Sequence, residues 1–236
     1  MRFRVLACDY DGTIAAEGHV DDATRRSLGK LRASGRKLIL VTGRQLEDLI
    51  SVFPQLEIFD YIVAENGALL YHPERDEERP LAEPPPDELV EALRSRGVSP
   101  LTSGRVIVAT REPYQTDAIE VIRDLSLEIQ VIFNKGAVML LPSGINKATG
   151  LIAALGDLGI SAHDVVGVGD AENDHALLGV CGRAVAVANA VPSLKERADW
   201  VTRLDHGEGV MELIDRLLAS DLADLEPKHE HVSSPK

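Results

Sequence analysis

Short apolar segments alternate with amphipathic ones along the first third of the chain. Residues 5–9 form an apolar run that ends at acidic side chains, and residues 37–42 are apolar from their second position onward, as expected of a strand buried on both faces. Residues 61–64 repeat the strand pattern. Between these strands, residues 22–34 and 46–53 have helical spacing of apolar positions. This β-α-β-α-β succession predicts a parallel sheet covered by helices, and therefore an α/β fold.

The pattern changes between residues 72 and 88, which are rich in charge and proline. The three prolines at residues 84–86 can continue neither a helix nor a central strand, so we predict a domain boundary there. The following segment, up to Pro142, favours a small α+β insert. Its predicted elements are helices at 87–95 and 115–125, strands at 106–109, 128–133 and 137–141, and a tight turn at 134–136.

The alternation of strands and helices resumes after the insert. Its predicted elements are helices at 147–158, 172–178 and 209–218 and strands at 165–168 and 184–188. The polar residues 221–236 offer little to pack, so we predict a mobile tail.

Composition narrows the range of partners and locations. Lysine and arginine number 25 against 38 acidic residues, a formal net charge of −13 that disfavours binding to nucleic acid or to anionic membranes. Asp9 and Asp11 interrupt any apolar signal segment, and no apolar run approaches the roughly 20 residues of a membrane span. Cys8 and Cys181 are too few for a disulfide framework. We therefore expect a cytoplasmic protein.

Two acids and a glycine follow the first predicted strand. Asp9 and Asp11 are two residues apart at the end of the strand, so their side chains point to the same side. Ligands of parallel α/β sheets bind just beyond the carboxyl ends of the strands. Gly12 lets the backbone turn and direct N–H groups at an anion. Two neighbouring carboxylates repel each other unless a cation or a proton is supplied. Taken alone, an acidic turn explains this segment about as well as a catalytic site does.

Polar residues also follow two later elements at the same predicted edge. Thr42 ends the second strand and could hydrogen-bond a phosphoryl oxygen, although helix capping is the better explanation of Thr42 taken alone. Lys147 opens a helix, where the helix dipole favours an anion over a cation, which hints at a bound anion. A solvated surface lysine is the simpler explanation of Lys147 taken alone.

A third acidic group follows the strand at 165–168. Asp170, Glu172, Asn173 and Asp174 lie within five residues and open a helix. Carboxylates gathered at a strand end favour a cation, and Mg²⁺ is usually held by one or two carboxylates together with phosphate and water. Together with the earlier residues, they supply the positioning, charge neutralisation and nucleophile that phosphoryl transfer requires.

In order and spacing these residues resemble the motifs of the haloacid dehalogenase superfamily of phosphatases, over the chain as far as about Leu218. The insert is similar to the α/β cap of the Cof-type sugar phosphatases and archaeal phosphoglycolate phosphatases, and residues 65–68 and 187–190 also resemble that branch. The domains that the resemblance implies are a Rossmann-like core of residues 1–74 and 143–220, a cap of residues 75–142 and a tail of residues 221–236.

The resemblance implies a Mg²⁺-dependent phosphomonoester hydrolase that acts on a small phosphorylated metabolite through a phosphoaspartate. Asp9 would attack phosphorus, and Asp11 would act as general acid and then as base. We expect Asp11 to lie farther than Asp9 from the positive charge of Mg²⁺ and Lys147, and so to be able to hold a proton near neutral pH. The other implied contacts are Thr42 and Lys147 to the phosphoryl group, Gly12, Gly43, Arg44, Asn66 and Asn173 to the substrate, and Asp9, Asp11 (through its backbone carbonyl), Asp170 and Asp174 to Mg²⁺.

Other functions use the same kind of site. A phosphomutase would return the phosphoryl group to a sugar, and a receiver-like phosphate-binding module would retain it. Arg44 is also explained by an ion pair with a nearby acid. In the cap, Lys135, Arg105 and Arg111 are candidates for substrate contact, and we expect the cap to supply specificity as a lid.

Overall fold

The computed structural model of the protein describes residues 1–225 and residue 228. Eight strands form a main sheet in the order β12-β11-β10-β1-β2-β3-β4-β5, and four strands form a second sheet in the order β6-β7-β9-β8. The strands are β1 (Val5–Asp9), β2 (Lys37–Val41), β3 (Tyr61–Ala64), β4 (Leu69–His72), β5 (Glu77–Pro80), β6 (Thr102–Ser103), β7 (Val108–Arg111), β8 (Ile129–Asn134), β9 (Ala137–Pro142), β10 (Val165–Gly169), β11 (Arg183–Ala186) and β12 (Trp200–Val201). The α-helices are α1 (Asp22–Ala33), α2 (Leu46–Val52), α3 (Asp87–Ser95), α4 (Gln115–Asp124), α5 (Lys147–Leu158), α6 (Asp174–Val180), α7 (Pro192–Arg197) and α8 (His206–Ser220).

The central strands of the main sheet are parallel, which confirms the predicted α/β fold. β1 lies between β10 and β2, with Val5 opposite Val165 on one side and Lys37 on the other. All five residues of β1 are buried, because helices cover both faces of the sheet. The carboxyl ends of β1, β2, β3 and β10 therefore meet at one edge, as the sequence pattern predicted.

The predicted boundary between core and cap at residue 75 is too early. Residues 77–80 form β5, which pairs antiparallel with β4 and extends the main sheet. All four residues of β5 are exposed, so the strand lacks the apolar pattern that would have predicted it. The chain leaves the main sheet after β5, and the helices and strands of the cap lie between Asp87 and Pro142.

The cap is an antiparallel sheet with two helices on one face. Residues of α3, α4 and the sheet, including Leu93, Val121 and Leu140, form a hydrophobic cluster separate from the main core. The other face of the sheet contributes Met139 and Leu141 to a third cluster that includes Ala68 of the core. The cap is therefore packed against the carboxyl edge of the main sheet.

The predicted tail also begins too early. Asp221 pairs with Arg36 at 2.9 Å, and Leu222 is only 1% exposed within the main core. The rest of the predicted tail, residues 226, 227 and 229–236, lies outside the described residues. Within the described part of the chain, none of the helices has the length and apolar character needed to cross a membrane.

Candidate active site

Two buried carboxylates share one lysine at the carboxyl edge of the main sheet. Lys147 Nζ lies 2.6 Å from Asp9 Oδ1 and 2.6 Å from Asp174 Oδ1. All three side chains are buried. Burial acts to lower the pKa of Lys147, but the charges of Asp174 and Asp9 outweigh it and raise the pKa. The lysine is therefore charged at neutral pH and neutralises part of the acidic cluster.

The position of Lys147 follows from the start of α5 and from two glycines. Asn146 caps the helix by accepting hydrogen bonds from the N–H groups of Ala148 and Thr149. A Cβ at Gly67 would lie 1.9 Å from the carbonyl oxygen of Asn146, and a Cβ at Gly150 would lie 2.8 Å from Gly67 Cα. Only glycine at these two positions lets α5 approach the turn after β3 closely enough to bury Lys147.

The loop after β10 completes the acidic cluster. Asp174 Oδ2 accepts hydrogen bonds from the N–H groups of Asp170 and Ala171, at 2.9 and 3.0 Å. The Thr13 hydroxyl donates to Asp9 Oδ2 at 3.0 Å and lies 3.3 Å from Asp170 Oδ1. Burial, reinforced by Asp174, raises the pKa of Asp9 to about 8 against the opposing effect of Lys147. Burial also raises the pKa of Asp170.

The cluster fits a divalent cation with oxygen ligands. Asp9, Asp170 and Asp174 each offer an oxygen atom within 4.8 Å of the others. This is close to the span of about 4.2 Å between opposite ligands of an octahedral Mg²⁺. Both oxygens of Asp174 accept hydrogen bonds from Lys147 or from backbone N–H groups, so Asp174 is suited to anchor the cluster.

A cation from the cap already contacts this cluster. Lys135, in the turn between β8 and β9, places its Nζ 2.5 Å from Asp170 Oδ2 and 3.4 Å from the carbonyl oxygen of Asp11. These are two of the oxygens that the sequence resemblance implies as metal ligands. The ammonium group therefore stands in for a cation between them, which supports the fit of the oxygens to a metal ion.

The Asp11 side chain lies beside a positive charge, that of Arg44, which the expectation based on Mg²⁺ and Lys147 did not include. Arg44 donates from Nε to Asp11 Oδ2 and from a terminal nitrogen to Asp11 Oδ1, each at 2.7 Å. Arg44 also contacts Asp48 at 2.5 Å. The two residues meet because β1 and β2 are adjacent, so that the turns after them face each other. The simpler explanation of Arg44, an ion pair with a nearby acid, describes this arrangement.

The remaining predicted residues surround the same edge. The Thr42 hydroxyl accepts a hydrogen bond from the Arg44 N–H at 3.1 Å, and the Thr42 carbonyl accepts one from Asn66. Asn173 donates to Asn66 Oδ1 at 3.1 Å, while its own buried Oδ1 has no hydrogen-bond partner among the described residues. A Cβ at Gly43 would lie 3.8 Å from Asn173 Nδ2. Thr42, Gly43, Asn66 and Asn173 thus lie side by side.

The turn after β1 is also held by residues that the sequence analysis did not select. The Gly12 carbonyl accepts a hydrogen bond from Asn189 Nδ2 at 2.7 Å and lies 2.9 Å from His206 Nδ1. Asn189 Oδ1 in turn accepts from the His206 N–H. Asn189 belongs to the segment 187–190 that carries the family resemblance, so the sequence contained a signal for it. His206 has no comparable signal.

Comparison with known proteins covers most of the chain. A model of the haloacid dehalogenase-like hydrolase family matches residues 6–105 and 105–214. A phosphoglycolate phosphatase of Methanothermobacter thermautotrophicus is 33% identical over 229 residues, with 91% of this chain and 99% of that protein covered.

Solved structures have the same architecture. A haloacid dehalogenase-like hydrolase from Bacteroides thetaiotaomicron has a TM-score of 0.77 at 23% identity, covering 91% of this chain and 99% of its own. A sugar phosphatase of subclass IIB has a TM-score of 0.71 at 17% identity, covering 91% and 98%. At these identities the similarity shows the fold alone.

Proposed function

The chain belongs to the haloacid dehalogenase-like hydrolase family and is a phosphatase, and we propose that it hydrolyses monophosphate esters of small metabolites in a Mg²⁺-dependent reaction through a phosphoaspartate on Asp9. The observation that carries this proposal is the contact of one buried lysine with Asp9 and Asp174, beside Asp170. Such a cluster can hold an anionic nucleophile, a cation and a phosphoryl group at one point.

Asp9 is the proposed nucleophile. Its Oδ1 contacts Lys147 and its Oδ2 accepts from Thr13, so the carboxylate is fixed in orientation. In the first step a bond forms between an Asp9 oxygen and phosphorus while the bond from phosphorus to the ester oxygen breaks. Water then attacks the phosphoaspartate and releases inorganic phosphate. The buried charge of Lys147 favours the anionic form of Asp9 that the attack requires.

The carboxylates of Asp9 and Asp170 and the carbonyl of Asp11 are the proposed Mg²⁺ ligands, with Asp174 in support. Bound Mg²⁺ would neutralise charge on the phosphoryl oxygens, so that an anionic nucleophile can approach. Lys147 already contributes one positive charge to the same point, and Thr13 holds Asp9 and Asp170 together.

Asp11 is the proposed general acid and base. Its side chain is 39% exposed, in contrast to the buried Asp9, and so is open to the leaving group and to water. The proton passes from Asp11 to the departing alcohol, and Asp11 then accepts a proton from the attacking water. Because Arg44 contacts both carboxylate oxygens, this proton transfer requires the ion pair to loosen.

The remaining residues would hold the substrate. We propose that Lys147 and Thr42 contact the phosphoryl oxygens and that five neighbouring residues contact the rest of the substrate. These neighbours are Gly12, Gly43, Arg44, Asn66 and Asn173. The unpartnered buried Oδ1 of Asn173 supports a polar ligand at this point.

The proposed substrate is a small phosphorylated metabolite. Several relatives are named phosphoglycolate phosphatase, and a neighbour in structure is named a sugar phosphatase. Identity is higher to the former, so we propose 2-phosphoglycolate as the first compound to assay. A phosphomutase and a receiver-like module remain the alternatives, and the fate of the phosphoryl group separates all three.

The test follows the phosphoryl group in three variants. Asp9→Asn should release no inorganic phosphate from 2-phosphoglycolate or from an aryl phosphate. Asp11→Asn should lose about 10²–10⁴-fold in turnover, and with the aryl phosphate its phosphoaspartate should accumulate on Asp9, detectable by rapid-quench mass spectrometry. Asp124→Asn, an exposed cap carboxylate, serves as control. Wild-type phosphate release by Asp9→Asn would refute the mechanism, and an isomeric phosphate ester as product would favour the mutase.

A further inference from the structure

The turn that carries Lys135 is built to present its side chain to the active site. Asn134 pairs with Ala137 across β8 and β9, leaving Lys135 and Gly136 as a two-residue hairpin loop. Both loop residues have positive φ, 48° and 82°, which is the geometry of the tight hairpin turns that match the twist of paired strands. Because a tight hairpin has little freedom, the backbone of Lys135 is held above the core.

The Lys135 side chain extends from this turn across the cap–core boundary. Its Nζ lies 2.5 Å from Asp170 Oδ2 and 3.4 Å from the Asp11 carbonyl. A Cβ at Gly12 would lie 2.5 Å from this Nζ, so glycine at position 12 makes room for the ammonium group. The side chain is 48% exposed, which leaves part of it open to a ligand that enters from solvent.

The other cations of the site are held by two carboxylates each. Lys147 contacts Asp9 and Asp174, both buried. Arg44 contacts Asp11 and Asp48. The carboxylate partner of Lys135 is Asp170, which is also one of the three acids that could hold a metal ion. A bound divalent cation would therefore take both oxygens that Lys135 contacts, Asp170 Oδ2 and the backbone carbonyl of Asp11. The ammonium group would then have no carboxylate partner there, next to the turn that carries Asp11, the proposed acid for the leaving group.

We propose that Lys135 is a specificity residue that binds a second anionic group on the leaving-group side of the substrate. The preferred substrates are then small phosphorylated carboxylic acids, with a carboxylate a few atoms from phosphorus. This inference rests on the proposed phosphatase function. The geometry of the site limits the distance between this carboxylate and phosphorus. A single carboxylate, Asp170, separates Lys135 from the hydroxyl of Thr13 that holds Asp9, the residue that would attack phosphorus.

The neighbouring arginine of the cap does not compete for this role. Arg105 lies beside the boundary, but its guanidinium contacts Glu47 at 2.6 Å and Glu78 at 2.7 Å. These two ion pairs direct Arg105 to the outer surface of the core. Lys135 therefore carries the charge of the cap into the acidic cluster.

The first experiment compares two substrates that differ in one group, a carboxylate in 2-phosphoglycolate and a methyl group in ethyl phosphate. Activity on 2-phosphoglycolate and on ethyl phosphate is measured for wild type, Lys135→Met, Lys135→Arg and the control Arg123→Met, which removes an exposed cap charge on α4. In Lys135→Met, kcat/KM for 2-phosphoglycolate should fall about 10–100-fold, mainly through KM. The change for ethyl phosphate should be much smaller, so that the ratio of the two kcat/KM values falls about 10-fold or more. Lys135→Arg should retain most of the selectivity, and Arg123→Met all of it.

The second experiment measures binding without turnover. Calorimetry of the Mg²⁺-loaded wild type and Lys135→Met compares 3-phosphonopropionate, which has a carboxylate, with propylphosphonate, which has none. The wild type should favour the carboxylate, and Lys135→Met should lose that preference. Equal binding of both ligands by the wild type, or an equal loss for both substrates in Lys135→Met, would overturn the role of Lys135. Either result leaves the phosphatase function standing, whereas an absence of phosphate release from every monoester would refute that function instead.

Discussion

At the scale of single residues, the central feature is a buried lysine whose charge is matched by buried acids. Lys147 is 1% exposed, and its two partners are Asp9 and Asp174. A buried ion pair adds little net stability, but removal of one partner leaves an uncompensated buried charge that is costly. Lys147 is therefore needed for the fold of the site before it is needed for chemistry.

We expect Lys147→Met to lower the free energy of unfolding by about 3–5 kcal/mol in EDTA, because two buried carboxylates lose their counter-charge. Urea unfolding followed by circular dichroism measures the change. The matched control is Lys37→Met, which removes an exposed lysine from its pair with Asp60 and should cost less than about 1 kcal/mol. An equal decrease in the free energy of unfolding of the two variants would mean that the buried carboxylates do not depend on the charge of Lys147 for stability.

At the scale of elements, the turn after β3 holds the cap segment 105–107, between β6 and β7, to the core. Glu65 is fully buried, and its carboxylate accepts hydrogen bonds from three consecutive N–H groups, those of Arg105, Val106 and Ile107, at 2.7–2.9 Å. A Cβ at Gly104 would lie 2.2 Å from Glu65 Oε1, so glycine at that position permits the approach. One side chain of the core thus fixes the segment that connects β6 and β7 of the cap sheet.

We expect Glu65→Ala to release this segment. The loss of an acceptor for three N–H groups should cost about 2–4 kcal/mol of local stability, because each unpaired buried donor is unfavourable. Hydrogen exchange at Val106 and Ile107 should accelerate by about 30-fold or more. Glu78→Gln, which weakens only the exposed pair with Arg105, should leave these amides protected. Unchanged hydrogen exchange at these two amides in Glu65→Ala would show that apolar packing alone holds the segment 105–107.

At the scale of the whole molecule, the cap closes over an edge of the sheet where three acids meet. The apolar contact of Met139 and Leu141 with Ala68 holds the cap in place, and Lys135 adds an electrostatic contact. Burial raises the pKa of Asp9 to about 8, and burial also raises that of Asp170. The metal-free protein therefore binds protons more tightly at these groups when folded than when unfolded.

The sign of the pH dependence follows from these raised pKa values. Their stabilising contribution is present at low pH and is lost as the pH rises from the ordinary range of a carboxyl toward about 8. Mg²⁺ competes with these protons, so its stabilising effect should be larger at pH 8 than at pH 6. At a concentration of 100 times its Kd, Mg²⁺ should add about 2.7 kcal/mol to the free energy of unfolding. Thermal unfolding with EDTA or Mg²⁺ at both pH values measures this, with KCl of equal ionic strength as control. An equal shift at both pH values would contradict the prediction.

Five strands of the core, β1, β2, β3, β10 and β11, and the residues of the acidic cluster could be predicted from the sequence. β1, β2 and α5 lie at their predicted positions because their apolar patterns are local and strong. Asp9, Lys147, Asp170 and Asp174 could be selected together because parallel strands bring their carboxyl ends to one edge. That rule needs only the order of the elements along the chain.

The pairing of side chains across that edge follows from tertiary packing and could not be predicted from the sequence. β5 has no buried face, Leu222 finds its place in the core only after α8 has packed, and the ion pair of Arg44 with Asp11 depends on the separation of two turns. Lys135 reaches Asp170 because the cap folds back over the core, across 35 residues of chain. The period of apolar residues specifies local elements and buried faces, whereas the meeting of polar side chains depends on distances that arise only when separate elements are packed together.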